Sequence, residues 1–312
     1  MDTDDLELFR AAVHRAVATD SGTDRDAALA RLGWSDALAL DERASVATLF
    51  EAQGSIAATS GALGLVVASS LGVENKGAAV VLPVPPATTI AEAGAEVHGI
   101  TLGTSRREQA LLLAHDGGRT VSAVVPLASL TCEPRVGIDP DAEMLVVASP
   151  ATDLCWEPAA GTWDDALAAA RRALAHEQVG AMRTMLRLAR EHAMERIQFG
   201  RPIASFQAVR HHLAEALVAI EAADAALDGA WIDGTPFAAA TAKAVAGASA
   251  QVVRRKAQQV LAGIGFTTEH DLQRFLRRSI LLDALLGDTT SLTDEIGAQL
   301  IDAHALPRVV PL

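Results

Sequence analysis

The chain has 312 residues, of which 50% are hydrophobic and 21% charged. This composition excludes a disordered chain, and a membrane span is not expected because no run of about 20 apolar residues occurs. The formal charge of -13 disfavours nucleic acid and anionic membranes as partners, and aromatic residues, at 4%, are few for base stacking. Two cysteines, Cys132 and Cys155, and an acidic N-terminus without a basic leader predict a cytoplasmic protein.

The first quarter of the chain has apolar residues at helical spacing. Residues 1–77 are therefore predicted to form an N-terminal helical domain. One helix is expected to start at Asp41, whose carboxylate can accept hydrogen bonds from the free N–H groups of the first turn. A second, buried helix is predicted over residues 56–71, which are mostly small and apolar.

The middle of the chain changes to short β-branched runs separated by glycine and proline. Residues 78–150 are therefore predicted to form a small β domain. Residues 109–127 are expected to form a hairpin that turns at Asp116, Gly117 and Gly118. Residues 153–158 are interpreted as the linker to the next domain.

Residues 151–312 are predicted to form a C-terminal helical bundle domain. The first helix is expected from Thr162 to about Arg196, where one side carries recurring apolar residues and no proline occurs. Further helices are predicted over residues 206–227, 237–261, 269–286 and 293–305. Long helices joined by short loops indicate a bundle, so the fold class is mainly α with a small β domain.

Two loops of this bundle carry unusual sequences. Residues 195–209 read ERIQFGRPIASFQAV, and residues 259–269 read QVLAGIGFTTE. On composition alone the first is a helix connection whose arginine caps the preceding helix, and the second is a helix end at which Gly265 adopts the left-handed conformation. The strings, however, resemble the segments R-x-x-F-G-x-x-I-x-x-x-Q and Q-x-x-G-G-x-G-F/Y of the acyl-CoA dehydrogenase family, in the same order.

The resemblance implies a fold with N-terminal helices, a middle β-sheet domain and a C-terminal four-helix bundle. It also implies bound FAD, whose ADP half is held across a subunit interface in that family. The implied cofactor-binding residues are Arg196, Gln198, Phe199, Gln207, Gln259 and Gly263. A planar arginine fork suits pyrophosphate oxygens, and a Cβ at Gly263 would obstruct their approach.

The residue that removes the α-proton of the acyl thioester in that family has no counterpart here. Members usually carry this Glu in a Glu-Gly-Thr triplet, but the matching position here is Leu286. Other members place it on the long helix before an Arg, but here the pair is Ala170 and Arg171. No catalytic residue is therefore expected in this chain. Arg171 is interpreted either as a family residue or as a surface arginine beside Arg172.

Other candidate sites are weaker. The nine histidines and two cysteines show no metal-ligand spacing, so no metal site is predicted. Basic residues cluster at 254–256 and at Arg274, Arg277 and Arg278. They are interpreted as solvated helix faces, with binding of flavin or CoA phosphates as the alternative.

Taken with the missing base, the resemblance implies one subunit of a heteromeric FAD-dependent acyl-CoA dehydrogenase. The chain looks like the shortened, base-less subunit of α2β2 enzymes of actinobacterial steroid degradation. The implied partner is a second acyl-CoA dehydrogenase-like chain, and the implied substrate is a bulky acyl-CoA such as a steroid side-chain thioester. Two alternatives stay open: a binding or scaffold protein on the same fold, and a homodimeric enzyme with Asp283, Asp288 or Glu177 as a relocated base.

Overall fold

A computed structural model of the chain describes residues 3–18, 22–75, 77–103, 107–149 and 154–304. Within these ranges the helices are α1 (Thr3–Val17), α2 (Gly22–Leu32), α3 (Trp34–Leu40), α4 (Glu42–Ile56), α5 (Ala62–Ser70), α6 (Trp163–Glu195), α7 (Gln207–Asp233), α8 (Pro236–Leu261), α9 (Leu272–Ala284) and α10 (Thr289–Ala303). The strands are β1 (Ala79–Val80), β2 (Leu82–Pro83), β3 (Ala91–Glu92), β4 (Val97–Thr101), β5 (Gln109–Asp116), β6 (Arg119–Pro126), β7 (Thr131–Arg135), β8 (Met144–Ser149), β9 (Glu157–Pro158), β10 (Ile197–Gln198) and β11 (Arg201–Pro202). The chain is thus mainly helical with a small β region, as predicted.

The start of α4 follows the sequence prediction, but its end does not. Asp41 caps the helix, because its carboxylate accepts a hydrogen bond from the backbone N–H of Ala44 at 3.0 Å. The prediction of one helix over residues 56–71 is wrong, since Ala57 has a left-handed backbone conformation with φ of 52° and ends α4. The Ser60 hydroxyl then accepts from the backbone N–H of Ala62 at 3.2 Å, where α5 begins.

The β region consists of two small sheets. One has the order β1-β5-β6-β9, with β3 also paired to β5, and the other has the order β2-β4-β8-β7. The predicted hairpin is confirmed, with Asp116 opposite Arg119 across the turn. The interpretation of residues 153–158 as a linker is wrong at its end, because Glu157 and Pro158 form β9 and pair with β6. Residue 153 itself lies outside the described residues.

The C-terminal helices form the predicted bundle. Thr162 caps α6 by accepting from the backbone N–H of Asp165, and the helix ends one residue before Arg196, as expected. The α10 helix begins earlier than predicted, at Thr289, because Asp288 caps it; the predicted end at residue 305 lies outside the described residues. No helix in the described part of the chain is long and apolar enough to cross a bilayer.

The α4 and α6 helices approach to backbone contact. A Cβ at Gly54 would lie 2.0 Å from the carbonyl oxygen of Glu177, and one at Gly180 would lie 2.2 Å from that of Glu51. Only glycine permits this approach. The two halves of α6 belong to different cores. The first half packs with α1 to α5 and the end of α9, and the second half packs with α7, α8 and the start of α9.

Candidate functional site

Both loops singled out from the sequence lie at the same end of the bundle. Successive long helices joined by short loops run antiparallel, so the ends of α6 and α8 lie beside the starts of α7 and α9. Ile203 of the first loop and Ile264 of the second pack against the same core. Besides burial, the charge of His270 just before α9 lowers the pKa of His192 near the end of α6, so these two residues are close.

The first loop contains a tight two-stranded turn that the sequence did not predict. β10 pairs with β11, and Phe199 and Gly200 between them have φ of 53° and 77°. Phe199 is 91% exposed, and its ring stands edge-on to that of Phe206 at a centroid distance of 6.0 Å. The Arg201 guanidinium lies 4.4 Å above the Phe206 ring. The hairpin therefore holds an aromatic ring outward at the end of the bundle.

Arg196 stands at the base of this hairpin with its side chain exposed. Its backbone is fixed, since its N–H donates to His192 and its carbonyl accepts from Ile203 at 2.9 Å. Within the described residues its guanidinium forms no salt bridge. Burial lowers the pKa of His192, reinforced by the charges of His270 and Arg196 and opposed by that of Glu195. An exposed guanidinium with no carboxylate at ion-pair distance fits a pyrophosphate.

The three glutamines of the predicted site are exposed at the same end. Gln198 lies on β10, Gln207 begins α7, and Gln259 lies in the last turn of α8. Gly263 follows in a short 3-10 turn, and a Cβ there would meet no atom within 4 Å. Nothing in the described part of the chain would therefore obstruct a side chain at Gly263.

The end of α8 differs from the prediction in one detail. The residue with a positive φ is Ala262, with φ of 52° and ψ of -133°, and not Gly265. Gly265 is instead buried, where a Cβ would lie 3.0 Å from the Cβ of Leu261, and its carbonyl accepts from the Gln273 side chain. Gly265 is therefore needed for close packing rather than for its backbone angle.

The two positions of the family's base are sealed inside the first core. Ala170 is fully buried, and Leu286, just after α9, is 1% exposed with a left-handed φ of 55°. The Arg171 Nε atom donates to the carbonyl of Leu286 at 3.1 Å. The Lys243 ammonium donates to the carbonyls of Asp283 at 2.9 Å and Gly287 at 2.5 Å. Two buried cations thus hold the segment after α9 by its backbone.

The surface interpretation of Arg171 and Arg172 is wrong, because both are buried. Arg171 is paired with Glu295 of α10 at 3.3 Å, and the Arg172 guanidinium lies 4.5 Å above the Trp231 ring. Lys243 was missed from the sequence, where the only signal is a single cation within an alanine-rich run. Burial lowers the pKa of Lys243 to about 7, opposed by the charge of Asp283.

The carboxylates considered as relocated bases are all engaged in structural contacts. Asp288 caps α10 by accepting from Thr290 N at 2.8 Å, and Asp283 accepts from the Thr289 hydroxyl at 2.6 Å. Glu177 lies in the interior, 3.6 Å from a guanidinium nitrogen of Arg278.

Arg278 is buried too, so its interpretation as part of a solvated face is wrong. Two other cations of the basic clusters have acidic partners: Arg274 lies 3.5 Å from Asp141, and Lys256 is paired with Glu215. Across the described ranges, no three His, Cys, Asp or Glu side chains converge as a metal site.

Comparison with known proteins agrees with these features. Residues 162–301 match the family model of the acyl-CoA dehydrogenase C-terminal domain. This part of the chain is thus similar to the C-terminal domain of acyl-CoA dehydrogenases. Acyl-CoA dehydrogenases are flavoproteins.

Two curated relatives come from Mycobacterium tuberculosis. Acyl-CoA dehydrogenase IpdE2 is 37% identical over 150 residues, which cover 48% of this chain and 45% of that protein. Acyl-CoA dehydrogenase FadE34 is 40% identical over 155 residues, which cover 47% of this chain and 21% of that protein. The chain thus matches less than half the length of these relatives.

Solved structures share the fold over nearly the whole chain. The Tcur3481-Tcur3483 steroid acyl-CoA dehydrogenase has a TM-score of 0.77 at 20% identity, covering 97% of this chain and 99% of that one. The ChsE4-ChsE5 complex from Mycobacterium tuberculosis has a TM-score of 0.76 at 16% identity, covering 99% of each chain. Butyryl-CoA dehydrogenase from Megasphaera elsdenii has a TM-score of 0.71 at 19% identity, covering 96% and 100%. The predicted acyl-CoA dehydrogenase fold is confirmed, and the chain resembles a steroid acyl-CoA dehydrogenase in fold.

Proposed function

We propose that this chain is one subunit of a heteromeric FAD-dependent acyl-CoA dehydrogenase. In this proposal the chain binds the ADP half of the flavin, and an unlike partner supplies the carboxylate that removes the α-proton. One observation carries the proposal: the positions that the resemblance assigns to the nucleotide are exposed at one end of the bundle, while the two positions that it assigns to the base are apolar and sealed in the core.

The exposed end of the bundle suits a nucleotide held between two chains. Arg196 would bind the pyrophosphate, Phe199 would pack on the adenine or ribose, and Gln207 would donate to the nucleotide. Gln198 and Gln259 would add further donors. The Phe199 ring is 91% exposed, and Met194 and Ile197, close to it in the sequence, are exposed too. Leaving such apolar side chains in water is costly, which supports coverage by a partner.

The division of chemistry follows from the residues at the base positions. When bound, the flavin accepts the hydride that leaves the β-carbon of the acyl group. The α-proton needs an acceptor at the same time, and neither Leu286 nor Ala170 can take it. Because Asp283 and Asp288 are engaged in hydrogen bonds and Glu177 is buried, we assign the acceptor to the partner.

The substrate class and the pairing rest on similarity. The solved structures that share this fold include a steroid acyl-CoA dehydrogenase and the ChsE4-ChsE5 complex, which contains two different chains. We therefore propose a bulky acyl-CoA, such as a steroid side-chain thioester, as the substrate of an α2β2 assembly.

The test is flavin retention by the assembled complex. The chain is purified alone and together with a neighbouring dehydrogenase-like gene product, and the visible flavin absorption is recorded. We expect flavin only in the complex, and Arg196→Ala should weaken flavin binding by about tenfold to more than a hundredfold, since it removes a charge-assisted contact of about 1.5–3 kcal/mol.

Arg187→Ala is the matched control. Arg187 lies on α6, which ends just before Arg196, and forms an exposed salt bridge with Glu191, so its loss should leave flavin binding unchanged. Normal flavin affinity in Arg196→Ala would remove the clamp assignment, and a flavin-loaded homodimer of the chain alone would contradict the need for a partner.

A further inference from the structure

Three ionisable side chains from distant parts of the sequence meet in the interior. Arg278 is 2% exposed, and Glu177 and Asp139 are each 5% exposed. The Arg278 Nε atom lies 2.8 Å from Asp139 Oδ2, and its Nη1 atom lies 3.6 Å from Glu177 Oε1. These three residues are called the Arg278 cluster.

The Arg278 cluster joins the β region to the helices. Asp139 lies in the turn between β7 and β8, Glu177 lies on α6, and Arg278 lies on α9. The remaining guanidinium nitrogen of Arg278 donates to Thr59 Oγ1 at 2.6 Å and to Ala57 O at 3.2 Å. The cluster thus connects the β7–β8 turn to α6, α9 and the segment after α4, and Thr59 Oγ1 adds a contact by donating to Asp141 O at 3.1 Å.

The surroundings of the cluster do not balance its second carboxylate. Besides Thr59, the charged or polar groups near the cluster in the described ranges include Arg25 of α2, Gln53 of α4, Asp141 and Glu143 of the β7–β8 turn, and Arg274 of α9. Arg274 is paired with Asp141, Arg25 donates to the Val17 and Thr59 carbonyls, and Gln53 is neutral. One buried guanidinium therefore faces two buried carboxylates.

A buried charge without a partner is costly, and a carboxylate in that position binds a proton instead. Burial raises the pKa of Glu177 to about 7, reinforced by the charge of Asp139 and opposed by Arg278 and by a hydrogen bond from Gln53. Burial raises the pKa of Asp139 as well, again against the charge of Arg278. Asp139 has the shorter contact with the guanidinium, so Glu177 is the carboxyl that holds the proton.

We propose that the Arg278 cluster is a proton-dependent latch, in which Glu177 takes up one proton as the β7–β8 turn docks on α6 and α9 and releases it as the turn undocks. The proposal does not rest on the proposed dehydrogenase function. Glu177 lies about two helical turns from Ala170 along α6, and Arg278 lies about two turns before Leu286. The latch thus links pH to the contact between α6, which carries Ala170, and α9, which precedes Leu286.

The direction of the effect follows from proton linkage. The docked turn binds a proton on Glu177 at pH values where a solvated carboxyl would not. Docking is therefore favoured below the docked pKa and is weakened as the pH rises through about 7.

Hydrogen exchange of the full-length protein tests the latch. Backbone protection of peptides covering residues 131–149 is measured at pH 6 and pH 8 and corrected for the intrinsic exchange rate. We expect protection to fall by about tenfold between the two pH values in the wild type. In Glu177→Gln, which is neutral at every pH, the fall should be absent, whereas Glu133→Gln on the exposed face of β7 should behave as wild type.

Infrared spectroscopy provides a second measurement, first on the wild type and then on one variant. The absorption of a protonated carboxyl should be present at pH 6 and should disappear with a midpoint near pH 7. Asp139→Asn leaves Glu177 as the only carboxylate on Arg278, so the midpoint should move to lower pH. Equal protection at both pH values in the wild type, an unchanged fall in Glu177→Gln, or no protonated carboxyl at pH 6 would each overturn the proposal.

Discussion

Introducing a carboxylate at Leu286 tests whether the family's base position is sealed in this chain. Leu286 is 1% exposed and packs in the first core, with its carbonyl held by Arg171. In Leu286→Glu the lost burial of the leucine costs about 1.5–3 kcal/mol. An ionised carboxylate at the same place adds several kcal/mol of desolvation, of which the charges of Arg171 and Lys243 recover a part.

The two contributions separate with pH. Burial should raise the pKa of the new carboxyl, so its folded form keeps a proton that the unfolded chain has lost. The variant should therefore be most stable below the unfolded pKa of a glutamate and should lose stability as the pH rises through the folded pKa. Leu286→Gln has nearly the same shape without the charge, so its stability loss should be the same at every pH.

Denaturant unfolding of wild type, Leu286→Glu and Leu286→Gln at pH 5 and pH 8 measures the difference. We expect the Glu and Gln variants to be similar at pH 5 and the Glu variant to be less stable by several kcal/mol at pH 8. If the two variants are equally stable at pH 8, the side chain at this position reaches water. The reasoning that the core seals the base position would then be refuted.

Two further predictions concern packing and buried charge. Gly180→Ala should lower the free energy of unfolding by about 1–3 kcal/mol, because the new Cβ would overlap the carbonyl oxygen of Glu51. The control is Gly229→Ala on α7, which should be neutral or stabilising because a Cβ there meets no described atom within 4 Å. Equal effects of the two substitutions in thermal melts would contradict the close contact between α4 and α6. Lys243→Met removes the donor to the carbonyls of Asp283 and Gly287 at about 1–3 kcal/mol for each group left unsatisfied. Because the folded pKa of Lys243 is lowered to about 7, wild-type stability should gain a contribution that grows from pH 7 to pH 10, and urea unfolding of Lys243→Met should show no such gain.

Features that depend on local sequence could be predicted. The cap at Asp41, the hairpin turn after Asp116 and the extent of α6 each follow from side-chain chemistry and periodicity within a few residues. The family resemblance likewise depends on two short strings, and the structure brings both to one end of the bundle. The roles of Arg196 and its neighbours in binding flavin stay predictions.

Features that depend on distant partners could not be predicted. Arg171 and Arg278 look like solvated residues in the sequence, because Glu295 and Asp139, which neutralise them in the interior, lie more than a hundred residues away. The left-handed turn at Ala57 was missed for a related reason. Ala57 itself gives no signal of a break, and only the Ser60-Gly61 pair after it is typical of a turn. The hydrogen bonds of Ser60 that organise the next helix depend on the folded backbone.

The division of α6 between two cores has a consequence for cooperativity. The first half of this helix completes the core of the N-terminal helices, and the second half completes the core of α7 and α8. Neither core can lose its packing without breaking the same continuous run of helical hydrogen bonds, so both belong to one unfolding unit. The segment that carries the family match, residues 162–301, is for the same reason not an autonomous domain. Excised from the chain, it would expose the apolar face with which α6 contacts α4 and α5.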